Sequence, residues 1–280
     1  MNKKIHFSIL TLAIFIFIAC GEKRNDEAIQ YLSDIYSNYE NGEYEKALSM
    51  IDSFQTLHPK AFKEIKEGLS FKQDVRRALN LQQITYCDSL ISVYQPKIDS
   101  IKQLFVLQKD KEYQQRGIYI PKSVNTNTLS GTMLRAGVYE DGALYIESVY
   151  LGGQLHEKIK VSTKDNQFAE SLPVTDDGLN FRFTHAGQQY EVIKVMPNHD
   201  NGLANFIYSY SKQPLTVTLD GKNKMSFTLS NSQKKAITDS YQLSTWILQK
   251  DSLLSERGKA ETLIKYLDSK QEEVATTNPE

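Results

Sequence analysis

The chain has 280 residues, with 33 Lys and Arg against 34 Asp and Glu, five His and two Cys. Near-neutral charge with interleaved signs, as in Lys63-Glu64-Ile65-Lys66-Glu67, excludes the one-sided basic surface of a nucleic-acid binder. The length allows one or two domains with a proper core, and a pool of two cysteines, Cys20 and Cys87, excludes a disulfide framework.

In chain order, the first element is a short apolar run. Asn2-Lys3-Lys4 precede positions 9–19, which are apolar except for Thr11 and stop at Cys20-Gly21-Glu22. A positive start followed by so short a run predicts a secretory signal, because a permanent span needs about twenty apolar residues. Phe17-Ile18-Ala19-Cys20 resembles the lipobox of bacterial lipoproteins. The resemblance implies cleavage before Cys20 by the lipoprotein signal peptidase, and lipidation of that residue. Its thiol takes a diacylglyceryl group as a thioether, and its freed amine takes a further acyl chain of the palmitate type. At about 0.8 kcal/mol per buried methylene, several chains hold firmly where one does not. Gly21 lacks the aspartate that retains enterobacterial lipoproteins at the inner membrane, so the outer membrane is favoured. The charged stretch 22–27 is similar to signals that send some lipoproteins to the cell surface, so either the periplasmic side or the cell surface fits. Without residues 1–19 the chain carries 31 basic and 34 acidic residues, a balance of minus three, and Cys87 is left without a partner for a disulfide or a cysteine metal site.

Residues 31–59 predict two helices joined at Asn41-Gly42, where the left-handed turn suits Gly. Tyr31, Ala47, Ile51 and Pro59 stand as in a tetratricopeptide repeat, which this piece resembles. No second copy of Gly42-Glu43-Tyr44-Glu45-Lys46-Ala47 follows, and a solenoid needs about three repeats, so a single helical hairpin is expected. From 71 to 113, Ile84, Cys87, Ile91, Tyr94, Ile98, Ile101 and Phe105 recur at three- and four-residue spacing, a coiled-coil-like seam. Pro96 falls on the outer face of this long helix and is expected to kink it.

Glycine-bearing turns then recur through 117–230, among them Glu140-Asp141-Gly142, Gly152-Gly153, Asp176-Asp177-Gly178, Ala186-Gly187 and Asp220-Gly221. They predict eight or nine antiparallel strands in a sandwich or barrel. A last helix over 231–273 offers Leu243, Trp246, Ile247, Leu253, Leu254, Leu263, Ile264 and Leu267 as its apolar side, with Gly258 as a break point. The expected class is α+β: signal 1–19, lipidated tether 20–27, helical region 28–116, β domain 117–230, a C-terminal helix 231–273 packed antiparallel on the long helix, and an unstructured tail 274–280.

No catalytic, metal or cofactor motif stands out. The loop Pro197-Asn198-His199-Asp200-Asn201-Gly202 concentrates polar groups, but Asn, Asp and Gly are ordinary turn residues. Among tyrosines on predicted strands, Tyr139, Tyr145, Tyr150, Tyr190, Tyr208 and Tyr210, the last two share parity. They are the expected aromatic platform for a glycan or protein partner. The expected function is a non-catalytic binding or assembly role at the envelope, held to the membrane by the lipid on Cys20. The alternatives are a structural protein self-associating through its helices as a homo-oligomer, and a hydrolase.

Overall fold

The computed structural model describes residues 26–110, 112–124, 131–175, 178–222 and 224–277. The expected signal, Cys20 and the pair Asp176-Asp177 lie outside the described residues. The chain divides after Leu79 into two compact units.

In the first unit, α1 (Asp26–Glu40) and α2 (Tyr44–Leu57) form the expected hairpin. They turn at Gly42, whose φ of +77° is a conformation glycine adopts without penalty. Ala28, Leu32 and Ile35 of α1 meet Ala47, Ile51 and Phe54 of α2 at helical spacing. Ile65 and Val75, from the start of α3 (Phe62–Lys102), complete that core.

The second unit starts within α3 and contains both sheets. Strands β1 (Phe105–Gln108), β2 (Ile118–Pro121), β3 (Met133–Tyr139), β4 (Leu144–Leu151), β7 (Asn180–His185) and β8 (Gln188–Val195) form a six-stranded sheet in the order β1-β2-β3-β4-β8-β7. Strands β5 (Lys158–Ser162), β6 (Phe168–Glu170), β9 (Thr216–Asp220) and β10 (Met225–Thr228) form a four-stranded sheet in the order β10-β9-β5-β6. Neighbouring strands pair antiparallel throughout both sheets. Leu134, Ile146 and Ile193 of the larger sheet share one core with Ile159, Val161, Val217 and Leu219 of the smaller. The arrangement is therefore a sandwich, the first of the two expected alternatives. The short helices α4 (Pro197–Asp200) and α5 (Leu203–Ser209) lie between β8 and β9 in the chain. Leu203, Ala204 and Ile207 of α5 enter the same core, as does Ile237 of α6 (Asn231–Thr277).

The last helix packs back on the long one, as expected. Lys250 Nζ donates to Gln95 Oε1 at 2.9 Å and Arg257 Nε to Asp88 Oδ1 at 2.7 Å, so positions rise along α6 as they fall along α3. Ile98, Ile101 and Phe105 meet Leu243 and Ile247 between them. Cys87 is buried on the same seam, while Pro96 is exposed within an α3 that continues through it.

Four expectations need correction. The helical region does not reach 116: α3 ends at Lys102, and Phe105 continues the seam spacing from a strand that pairs with β2. Hydrophobic spacing alone could not separate the two, because Phe105 is buried either way. Strands consequently start before 117. Gly258 does not break α6, since one glycine in a long helix costs only about 1 kcal/mol. Residues 274–277 of the expected tail continue that helix.

Candidate functional site

Tyr208 and Tyr210 do not form the expected platform. Tyr208 lies on α5 and Tyr210 caps it. Residues two apart on a helix point about 200° apart, whereas on a strand they would share a face. Tyr208 packs on Tyr241 with ring centroids 4.9 Å apart, and Tyr210 packs on Phe206 at 4.6 Å while bonding Gln167 through its hydroxyl. The overlooked helix signal was Asp200. Its carboxylate accepts from the N–H of Gly202 at 3.1 Å and of Ala204 at 3.0 Å, capping α5. The polar loop at His199 is thus used in holding the chain: Asn201 Nδ2 donates to the Glu170 carbonyl and the His199 carbonyl accepts from Leu172 N–H, both at 2.9 Å.

Two other groupings carry chemistry. The first is sealed in the sandwich core. Ser148 on β4 and Glu191 on β8 face the smaller sheet, and the β4–β5 loop brings His156 between them. His156 Nδ1 stands 2.8 Å from Glu191 Oε2, and Nε2 stands 2.7 Å from Ser148 Oγ. An ionised carboxylate only accepts, so Nδ1–H donates to Glu191 and Nε2 accepts the Ser148 hydroxyl. Glu191 also accepts from the backbone N–H of Leu155 at 2.6 Å and of His156 at 3.2 Å. Burial pushes its acidity the other way, yet the His156 side chain and these two N–H groups together hold the carboxyl below its ordinary range. Burial also holds His156 below the ordinary histidine value, outweighing the neighbouring carboxylate.

The connectivity is that of a nucleophile, a base and an orienting acid. Ser148 and His156 are nevertheless 0 % exposed and Glu191 is 1 % exposed. The loop that would have to swing away to admit a substrate also carries the base, so opening it would dismantle the set. The three residues instead fasten this loop, with its left-handed Leu155, to the larger sheet.

The second grouping lies on the opposite, outer face of the larger sheet. Gly137, Tyr145, Arg135, Glu147 and Lys194 stand side by side across β3, β4 and β8. Gly137 is required by close approach: a Cβ there would stand 2.5 Å from Tyr145 Oη and 2.6 Å from Cζ, so the bare backbone lets the Tyr145 ring lie across the strand. Lys194 Nζ sits 4.5 Å above that ring, and Arg135 pairs with Glu147. Burial, followed by the Glu147 charge, pushes the Tyr145 hydroxyl well above the ordinary tyrosine range.

Beside it, Tyr139 carries the Arg116 guanidinium 4.1 Å above its ring, and Arg116 also pairs with Asp141 in the β3–β4 turn. Glu140 fixes the β1–β2 loop that brings Arg116 there. Its Oε2 accepts from Gly117 N–H and from Lys109 Nζ, both at 2.7 Å, and these bonds hold its carboxyl below the ordinary range. Gln114, Gln115, Arg116, Ile118, Tyr139, Glu140, Asp141 and Lys194 together line an open cleft of about 780 Å³. The strand tyrosines included Tyr139 and Tyr145, but nothing in the chain marked Arg116 or Lys194 as their neighbours, since strand order sets those contacts.

Among the described residues, no group of three or more His, Cys, Asp or Glu is arranged to hold a metal ion, and no helix is long and apolar enough to cross a membrane. No family model, curated protein or solved structure matches the chain.

Proposed function

We propose that this protein is a non-catalytic envelope lipoprotein, anchored through acyl chains on Cys20 at the outer membrane, that binds a partner in the Arg116–Tyr139 cleft of its sandwich. The observation that carries the binding role is the contrast between the two groupings. The Ser148–His156–Glu191 set is closed to any substrate, whereas the cleft is open and its side chains are fixed in place by Glu140, Gly137 and stacking. Preorganised polar groups beside aromatic rings bind without much ordering cost. The anchor rests on the run 9–19 and the lipobox-like Phe17-Ile18-Ala19-Cys20.

A photoreactive amino acid placed in the full-length protein at Gln115, on the lip of the cleft, tests this in cells. Irradiation is expected to give a discrete adduct that the same probe at Lys164, in the β5–β6 turn of the smaller sheet, does not give. Equal adducts at both positions, or none at Gln115, would remove the cleft from consideration.

A structural role through self-association is favoured by one feature, the exposed Leu248, Leu263 and Tyr266 on one side of α6. Light scattering on the detergent-solubilised protein and on Leu263→Glu distinguishes it: dissociation of an oligomer by that change would support the structural reading.

A further inference from the structure

We infer that the ligand of the Arg116–Tyr139 cleft is a small molecule bearing an oxyanion, a carboxylate or phosphate group that pairs with Arg116 and Lys194. The inference rests on the cleft being a binding site and adds its ligand class.

The local charge favours an anion. Among the charged lining residues and the side chains beside them, the five cations Lys102, Lys109, Arg116, Arg135 and Lys194 stand against the three carboxylates of Glu140, Asp141 and Glu147. The excess arises because Glu147 is shared by Arg135 and Lys194, and Glu140 by Lys109 and Lys102. The other acids of the β1–β2 loop, Asp110 and Glu112, do not line the cleft, and Asp110 Oδ1 accepts from the Glu112 backbone N–H at 2.9 Å.

Hydrogen bonding points the same way. Acceptors at the cleft are already in use. Asp141 accepts from Arg116 at Oδ2 and from Ala143 N–H, at 3.1 Å, at Oδ1. Glu140 Oε2 accepts from Gly117 N–H and Lys109, and Gln114 Oε1 accepts from Asp110 N–H at 3.0 Å. Donors are left over. Arg116 uses Nη1 on Asp141, while its other N–H groups meet no acceptor among the described residues. The nearest carboxylate oxygen to Lys194 Nζ is 3.7 Å away, outside hydrogen-bond reach, so this ammonium keeps its donors for a ligand. Gln114, its oxygen fixed on the Asp110 N–H, is left with its amide N–H groups. An oxyanion accepts from each of these, and such charge-assisted bonds are about twice as strong as neutral ones. A cationic ligand would add donors to a cleft whose carboxylates are engaged.

The two cations are carried on neighbouring rings. The Arg116 guanidinium lies 4.1 Å over Tyr139 and Lys194 Nζ 4.5 Å over Tyr145, and the two ring centroids are 5.8 Å apart. Stacking covers the flat face of Arg116 and leaves its N–H edge for the ligand. Arg116 and Asp141 are exposed, at 47 % and 50 %, and a surface pair of this kind holds weakly. An incoming anion therefore shares the guanidinium without breaking a buried pair. At about 780 Å³ the cleft has the size of a small-molecule site.

The test is equilibrium dialysis of detergent-solubilised full-length protein at about 50 mM salt. The probes are glucose, glucosamine, glucuronate and glucose 6-phosphate, which vary the charge on one ring frame, with inorganic phosphate, and glutarate beside glutaramide. At least one anion is expected to bind with a Kd of about 1 mM or tighter, and its neutral and cationic counterparts about tenfold or more weakly. Arg116→Met and Lys194→Met keep an apolar stem over each tyrosine and should each lower anion affinity about tenfold or more. Either variant alone suffices if the urea midpoint shows that the other is damaged. Raising salt to about 300 mM should weaken binding severalfold.

Neutral or cationic probes that bind as well as the anions would overturn the inference. So would anion binding that both variants leave unchanged. If no anion binds while the Gln115 photoprobe still yields an adduct of protein size, the ligand class is wrong and the cleft stands. If neither occurs, both fall.

Discussion

His156 is the residue whose environment has the clearest energetic consequence. Its imidazole is fully buried and bonds a carboxylate on one side and a hydroxyl on the other. Replacing it by Ala takes one hydrogen bond from the buried Glu191 carboxylate, which keeps two backbone N–H donors and Arg182 at 3.6 Å, and leaves a cavity, a combined loss of about 2–4 kcal/mol. Ser148→Ala removes one hydrogen bond and should cost about 1 kcal/mol. Urea unfolding of the two variants checks both values. Similar costs for the two would mean that the carboxylate does not depend on the ring. The same residues predict the pH response. His156 titrates below its ordinary value of 6.5 when folded, so the unfolded chain takes up that proton first, and stability is expected to fall as pH drops through 6.5. Glu191, held below its ordinary 4.5, continues the decline at lower pH. A urea midpoint at pH 5 equal to that at pH 7.5 would contradict this account. Gly137→Ala, which drives a methyl into the Tyr145 ring, should cost about 1–3 kcal/mol by overpacking. It should also weaken ligand binding in the neighbouring cleft. None of these pairings was legible beforehand. His156 had no partner at short spacing, because Ser148 lies eight residues back on β4 and Glu191 is brought to it by the pairing of β4 with β8.

Whole elements were more readable, for physical reasons that differ from one to the next. The seam from Ile84 to Ile101 and its match on α6 repeat every three or four residues, so their faces could be named from spacing alone. Ile98→Ala should cost about 2–5 kcal/mol through the cavity it leaves between α3 and α6. Pro96→Ala, on the exposed side of the same helix, should instead stabilise by about 1–3 kcal/mol, since it restores a backbone donor and removes the ring. Thermal melts of both variants give the comparison, and a destabilising Pro96→Ala would mean that the proline is needed where it stands. Hairpin turns were equally legible. Ala186 and Gly187 have φ of 50° and 78° and close β7 on β8 in a two-residue loop. The segment around Tyr208 was not legible as a strand or a helix from alternation, because seven residues offer too little period. Its capping Asp200 carried the information. β1 was misread because Phe105 satisfies the helical seam and the strand core together.

At the scale of the molecule, the α+β order and an antiparallel β domain followed from glycine turns and helical periods, while the choice of sandwich over barrel and the cleft did not. It forms only after β3, β4 and β8 are set side by side and the β1–β2 loop is pinned by Glu140. The protein presents an open cleft on one sheet face and a sealed polar set on the other. The acyl anchor proposed on Cys20 sets where that cleft would work. Full-length protein and Cys20→Ala, expressed in cells fed an alkynyl palmitate analogue and then fractionated, test the proposed anchor. The wild type is expected to be labelled and to sediment with the outer membrane, and Cys20→Ala to be unlabelled and to leave that fraction. A Cys20→Ala protein that still carries label, or that stays in the outer membrane as the wild type does, would contradict it.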